Sequence, residues 1–217
     1  MGNLATRPFT CDLVPFVTDI DEYRTIVLVD DAIERTVFRS NSEDHVRLVN
    51  VYTALKELSA QGSSVTHLQT VRTMIQTRSG SLFVELLPVG YFRYPRAEEV
   101  MEWLQQMLIA VKYWHSYGYC HGDIRWRNIV FVPDTPSYWV LIDMDESHLN
   151  NTTAIQWNHQ WEGEMLRFHH DLYQLGKLME ELTFDMPPEM IAVRDILQSA
   201  SSSPTITAET VLGYITS

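Results

Sequence analysis

His121-Gly122-Asp123-Ile124-Arg125-Trp126-Arg127-Asn128-Ile129-Val130-Phe131-Val132, then Pro133-Asp134-Thr135-Pro136-Ser137, then Tyr138-Trp139-Val140-Leu141-Ile142-Asp143-Met144-Asp145, is the stretch whose reading decides the fold. A polar loop leads into the apolar run 129–132, a proline-bearing turn follows, and a second apolar run closes at 142. Short apolar runs bounded by turn residues read as strands, so the stretch predicts a hairpin. Asp123 and Asn128 stand at its entry and Asp143 at its exit, so three oxygen-bearing side chains meet at one sheet edge. Carboxylates and amide carbonyls are hard donors of the kind Mg²⁺ takes. Either residue alone could merely cap a turn; the joint spacing carries the argument.

Working outward, residues 96–117 predict the strongest helix. Val100, Trp103, Leu104, Met107, Leu108, Val111 and Trp114 keep helical spacing, Glu98, Glu99 and Glu102 complement the dipole, and Gly118 stops it. Upstream, Thr25 to Val29 and Arg35 to Arg39 predict strands around Asp30-Asp31, after a mixed apolar run from Phe9 to Val17. Residues 43–60 predict a helix on Val46, Val49, Tyr52 or Thr53, Leu55 and Leu58; Val65 to Ile75 and Ser81 to Leu87 predict two more strands. Downstream, a polar, irregular stretch runs to about Gly163. His169 opens a helix that closes between Glu180 and Pro188, and Met190 to Ala200 and Ala208 to Ile215 predict two more.

This arrangement resembles the catalytic core of the protein kinase-like superfamily. His121-x-Asp123-x-x-x-x-Asn128 matches the family's catalytic loop (121–128), and Asp143-Met144-Asp145 stands where it has its metal-binding segment. The resemblance implies an α+β, bilobal protein kinase-like fold with a small antiparallel N-lobe sheet (1–84), a hinge (85–90) and a mostly helical C-lobe (91–217). It implies ATP and Mg²⁺ as cofactors. Asp123 would take the acceptor hydroxyl's proton, Asn128 and Asp143 would hold Mg²⁺, and Arg125 would supply charge to the transferring phosphate. Arg39 falls where the family's third-strand lysine stands, Glu85 to Leu87 where backbone groups pair with adenine, and Asp171 where a carboxylate accepts N–H bonds from the catalytic loop. Trp126 and the Leu141-Ile142-Asp143-x-Asp145 ending further resemble the kinase-like domains of Crinkler-type effectors.

The sequence departs from that pattern in three places. The stretch 17–23, where a glycine-rich loop would cradle phosphates, has no glycine and three acids. The first helix offers Asn50 and Val51 where the family has a glutamate that pairs with the lysine. Gly122 replaces the arginine of kinases regulated by activation-loop phosphorylation. The implied function is transfer of the γ-phosphate to a protein hydroxyl; the alternatives are a pseudokinase serving as a protein-binding module and a phosphotransferase for a small hydroxyl compound.

A formal net charge of −12 over 217 residues argues against nucleic acid or an anionic membrane as the main partner, leaving nucleotide and a protein substrate or partner. Two cysteines, with Cys120 at the end of an apolar helix, predict a buried thiol and a reducing compartment, cytoplasm or nucleus, of a host cell if the chain is a secreted effector. No apolar run is long enough to span a membrane. Residues 1–6 fit the loose N-myristoylation pattern, one short enough to match often by accident. His159, His169 and His170 invite a metal reading, which the lack of cysteine partners argues against.

Overall fold

The computed structural model describes residues 16–21, 24–29, 31–38, 43–60, 67–156, 159–203 and 205–216. The myristoylation pattern, Cys11, Arg39 and the part of the first strand before Phe16 lie outside these residues. Along the chain come β1 (Phe16–Asp21), β2 (Arg24–Val29), β3 (Ala32–Val37), α1 (Glu43–Ala60), β4 (Thr70–Gln76) and β5 (Leu82–Leu87). They are followed by α2 (Val100–Ser116), β6 (Tyr119–Cys120), β7 (Ile129–Val132), β8 (Tyr138–Leu141), β9 (His148–Leu149), α3 (Phe168–Glu180), α4 (Pro188–Ser199) and α5 (Ala208–Thr216). The fold is α+β, with one five-stranded antiparallel sheet in the order β1-β2-β3-β5-β4.

Period-2 alternation decides which face of that sheet is covered. Leu82, Val84 and Leu86 of β5 are buried, while Phe83 between them is exposed. The first three join Leu48, Val51, Tyr52, Leu55 and Leu58 of α1 in one core that continues into the α2 side chains Trp103, Leu104, Met107, Leu108 and Trp114. Each large apolar side chain so buried contributes about 1.5–3 kcal/mol. The stripe expected for α1 holds at Tyr52, Leu55 and Leu58 but not at its start: Val46 is 60 % exposed, and His45, Leu48 and Val51 face inward. Adjacent apolar residues in α1 (Leu48-Val49, Val51-Tyr52) made two stripes compatible with the spacing, and only the sheet selects between them.

The returning strand also begins earlier than expected. β3 starts at Ala32 rather than Arg35, which places Arg35 in mid-strand opposite Val84 of β5. Arg35 thus shares the covered face and is 4 % exposed.

The expected β7–β8 hairpin forms, with Ile129 opposite Leu141 and Val132 opposite Tyr138. Both of its edges are taken by segments that come from the sheet. On the β7 edge, Tyr91 N–H donates to the Phe131 carbonyl (3.0 Å) and Phe131 N–H to the Tyr91 carbonyl (2.9 Å). On the β8 edge, Leu141 N–H donates to the His67 carbonyl (2.8 Å) and Gln69 N–H to the Leu141 carbonyl (2.9 Å). Gly90 permits the first crossing, since a Cβ there would lie 2.8 Å from the Phe131 carbonyl oxygen. The hairpin is thereby the junction between the sheet and the helices. Gly118, at φ +83°, ends α2 and turns the chain into β6, which pairs with β9. Cys120 is a free, buried thiol whose pKa burial pushes well up.

Candidate active site

The loop 121–128 owes its shape to one carboxylate beneath it. Asp171, fully buried in the first turn of α3, accepts N–H bonds from His121 (2.7 Å) and Gly122 (2.9 Å) and pairs with His115 Nε2 (2.9 Å). Burial pushes its pKa up, but the His115 hydrogen bond, nearby imidazoles and the Gly122 N–H together hold it below the usual carboxylate range. Gly122 takes φ +81°, a conformation costly to any side chain, so the loop can present two successive N–H groups to one acceptor. Gln174, one turn along α3, accepts the Ile124 N–H at 2.9 Å. His121 donates from Nε2 to the Ile142 carbonyl (3.0 Å) and accepts the Asp123 N–H on Nδ1 (3.3 Å), which links the loop to the end of β8.

Above this base Asp123 and Asn128 come together as the spacing predicts. Asn128 Nδ2 donates to Asp123 Oδ2 and to the Asp123 carbonyl, both at 2.9 Å. Arg125 Nη2 donates to the same Oδ2. Among the described residues no group donates a hydrogen bond to Asp123 Oδ1 or to Asn128 Oδ1. Ile142 N–H donates to the Asn128 carbonyl (2.9 Å), and this bond seats Asp143 beside Asn128.

Asp143 has φ +66°, a left-handed backbone uncommon outside glycine, and its N–H meets Gln69 Oε1 at 3.3 Å. Arg35 Nη1 donates to Asp143 Oδ1 at 3.1 Å. Burial would raise the Asp143 pKa; the Arg35 guanidinium, then His121, outweigh it and hold the carboxyl below its usual range. Asp143 is therefore an ionised oxygen donor at neutral pH.

Arg35 is the cation that the strand brings to this site; the residue singled out on the sequence, Arg39, lies outside the described residues. A three-residue error in the strand start hid Arg35, whose alternation with Ile33 and Val37 was the available signal. Arg35 Nη2 donates to Asp145 Oδ2, Nη1 also donates to the Tyr52 hydroxyl (3.0 Å), and that hydroxyl donates to Asp145 Oδ1 (2.9 Å). Burial lowers the Arg35 pKa, but Tyr52, Asp145 and Asp143 drive it higher overall. Tyr52 of α1 and Asp145 together thus hold the Arg35 guanidinium. Arg24 of β2 adds Nη1 to Asp145 Oδ2 at 3.0 Å, and Arg47 of α1 donates to the carbonyls of Asp145 and Ser147 (the latter 2.9 Å). None of Tyr52, Arg24 and Arg47 has a local sequence signal; each is recognisable only once the sheet and α1 are placed.

The expected hinge positions separate. Glu85 is an interior strand residue paired with Glu34 and Thr73, so its backbone belongs to the sheet. Its side chain is on the face opposite Arg35, held by Arg72 Nη2 (2.5 Å) and Thr73 Oγ1 (2.8 Å), and those bonds depress its carboxyl to about 2. Leu87 is the last residue of β5, where the chain leaves the sheet. His169 and His170 belong to the start of α3, with Arg167 N–H on His170 Nδ1 at 3.0 Å. Among the described residues no group of three or more His, Cys, Asp and Glu side chains is placed to hold a metal. Were Mg²⁺ to bind here, Asn128 and the ionised Asp143 are the oxygen-bearing side chains that would hold it, with substrate phosphates supplying further oxygens. No family model matches this chain, and no curated protein matches it. No helix among the described residues is long and apolar enough to cross a membrane.

Proposed function

We propose that the protein is an atypical, bilobal protein kinase-like phosphotransferase that moves the γ-phosphate of Mg-ATP to a protein hydroxyl. The observation that carries this reading is the state of Asp123. Its Oδ2 is pinned by Asn128 and Arg125, while Oδ1 accepts no hydrogen bond among the described residues, and the Ile142 N–H bond to the Asn128 carbonyl brings the chain at Asp143 to the same place. In a direct transfer the acceptor O–P bond forms, the bond from the γ-phosphorus to its bridging oxygen breaks, and ADP leaves. Asp123 Oδ1 receives the acceptor's proton, and Asn128 holds the carboxylate in line. Arg125 and Arg35 present positive charge to the phosphate oxygens. Mg²⁺ held by Asn128 and Asp143 would draw charge from the β- and γ-phosphates.

A second reading, a pseudokinase acting as a protein-binding module, is favoured by the engagement of Arg35. Its guanidinium is already shared among Asp143, Asp145 and Tyr52, so a phosphate would have to displace one of them. The test is transfer of labelled γ-phosphate to a mixed protein substrate by wild type and Asp123→Asn. Loss of label by about 10²-fold or more with an unchanged melting temperature supports catalysis. Equal labelling by both proteins would sink it.

A further inference from the structure

Asp143 keeps a backbone conformation that an aspartate does not adopt freely. At φ +66° and ψ +72° it is left-handed, and a residue stays there only where its surroundings hold it. Two hydrogen bonds do so. Ile142 N–H donates to the Asn128 carbonyl at 2.9 Å, and the Asp143 N–H itself donates to Gln69 Oε1 at 3.3 Å. Among the described residues no other acceptor meets that N–H.

Gln69 is fixed before it reaches Asp143. It is 3 % exposed, and its own N–H donates to the Leu141 carbonyl at 2.9 Å. Leu141 N–H in turn donates to the His67 carbonyl at 2.8 Å, so residues 67–69 run parallel to β8 with Leu68 level with Leu141. In that register Gln69 is level with Ile142, and its side chain reaches the next residue along. His67, at φ +54°, turns the chain onto this edge, and its Nδ1 donates to the Trp139 carbonyl at 3.0 Å. Leu68 is buried in the main core, and Thr70 enters β4 opposite Leu87 of β5. Gln69 is thus tied to the hairpin on one side and to the sheet on the other.

The consequence for Asp143 is directional. Turning φ carries Cβ around the N–Cα axis, so with the N–H held in place the left-handed form and a relaxed one send the carboxylate to different places. In the left-handed form Oδ1 meets Arg35 Nη1 at 3.1 Å.

We infer that Gln69 is the positioning residue of this aspartate: its amide oxygen holds the Asp143 N–H, keeps residue 143 left-handed and so aims the carboxylate to where it and Asn128 would share Mg²⁺. The inference deepens the phosphotransfer reading and rests on it for the metal. The hold on the Asp143 backbone rests on the hydrogen bonds alone. A Gln69 that only filled space would change stability and leave metal affinity where it is. A partner that orients a metal ligand typically changes metal affinity by about 10–100-fold when it is lost.

The full chain is compared as wild type, Gln69→Met and Gln69→Glu. Methionine keeps the length and volume without the amide oxygen, and glutamate keeps an oxygen acceptor. Melting curves at fixed ATP over a series of Mg²⁺ concentrations give the Mg²⁺ needed for half of the full rise. Hydrogen exchange gives the Asp143 amide rate, taken relative to the Phe131 amide, which reports opening of the hairpin itself. Gln69→Met should raise the half-rise Mg²⁺ concentration by roughly tenfold or more and speed exchange at Asp143 relative to Phe131. Gln69→Glu should return that relative exchange to the wild-type rate. A lower melting temperature in Gln69→Met, with the half-rise concentration and the Asp143 exchange both unchanged, would leave Gln69 a packing residue and overturn the inference. Equally fast relative exchange in both variants would overturn it too. If wild type shows no Mg-ATP rise, the phosphotransfer reading fails and the exchange decides alone: faster at Asp143 in Gln69→Met keeps the positioning of that residue, and an unchanged rate removes it.

Discussion

At the scale of single residues, the site depends on buried polar groups held by other protein groups, with Arg35 Nε and Arg125 Nε the buried site atoms left without a partner among the described residues. Asp171 satisfies two consecutive backbone N–H groups and one imidazole. Asp171→Ala would orphan all three, and urea unfolding should show a loss of roughly 3–5 kcal/mol. Asp171→Asn keeps one carbonyl oxygen and should lose less, about 1–3 kcal/mol. Because the folded-state pKa of Asp171 is depressed, its contribution is present above the unfolded pKa and lost as pH falls through the folded one. The difference between wild type and Asp171→Asn should therefore be flat from neutral pH to about pH 4 and shrink only below it. A difference that faded between pH 7 and pH 5 would contradict this. Tyr52→Phe removes the hydroxyl that bridges Arg35 and Asp145 in a fully buried site, and should cost about 1–3 kcal/mol by the same measurement.

At the scale of elements, the sequence was most legible where periodicity and punctuation agreed. The hairpin at 129–141, α1 at 43–60 and the end of α2 at Gly118 were all readable, because apolar runs were bounded by turn residues or by a glycine in a left-handed turn. Asp123, Asn128 and Asp143 were singled out because they stand at the entry and exit of that hairpin, whereas Asp171 was singled out by the family resemblance alone. Arg35, Tyr52 and Arg24 were not, since their role depends on strand register and on which face of α1 meets the sheet. Those are long-range packing choices without a local signature. Even the turn into α2 differs, a 3-10 turn at Ala97–Glu99 preceding the α-helix because Glu99 folds back onto Arg93 and the Arg96 N–H. The crossing of the linker over β7 gives a prediction at this scale. Gly90→Ala would press a methyl against the Phe131 carbonyl and Val130, and should destabilise by about 1–3 kcal/mol, with faster hydrogen exchange at the Phe131 and Tyr91 amides. Unchanged exchange at those amides would mean the strand pairing is not held by the close approach.

For the whole molecule, one continuous core runs from the sheet and α1 through the β7–β8 hairpin into α2, α3, α4 and α5. The candidate site lies on that junction: Arg35 comes from the sheet, Asp143 and Asn128 from the hairpin ends, and Asp123 from the loop that α3 supports. A ligand held by Asn128, Asp143 and Arg35 together would bind the folded chain and not the unfolded one, so occupancy should register as stability. The most direct test is a melting curve with and without Mg-ATP, on wild type and on Asp143→Ala. At 100 times the Kd, binding should add about 2.7 kcal/mol, a rise of roughly 5–10 °C for a chain of this size. The account predicts that rise in wild type only when Mg²⁺ is present, and its loss in Asp143→Ala. No shift in wild type at millimolar Mg-ATP, or an equal shift in Asp143→Ala, would contradict the claim that these oxygens hold the metal and the nucleotide.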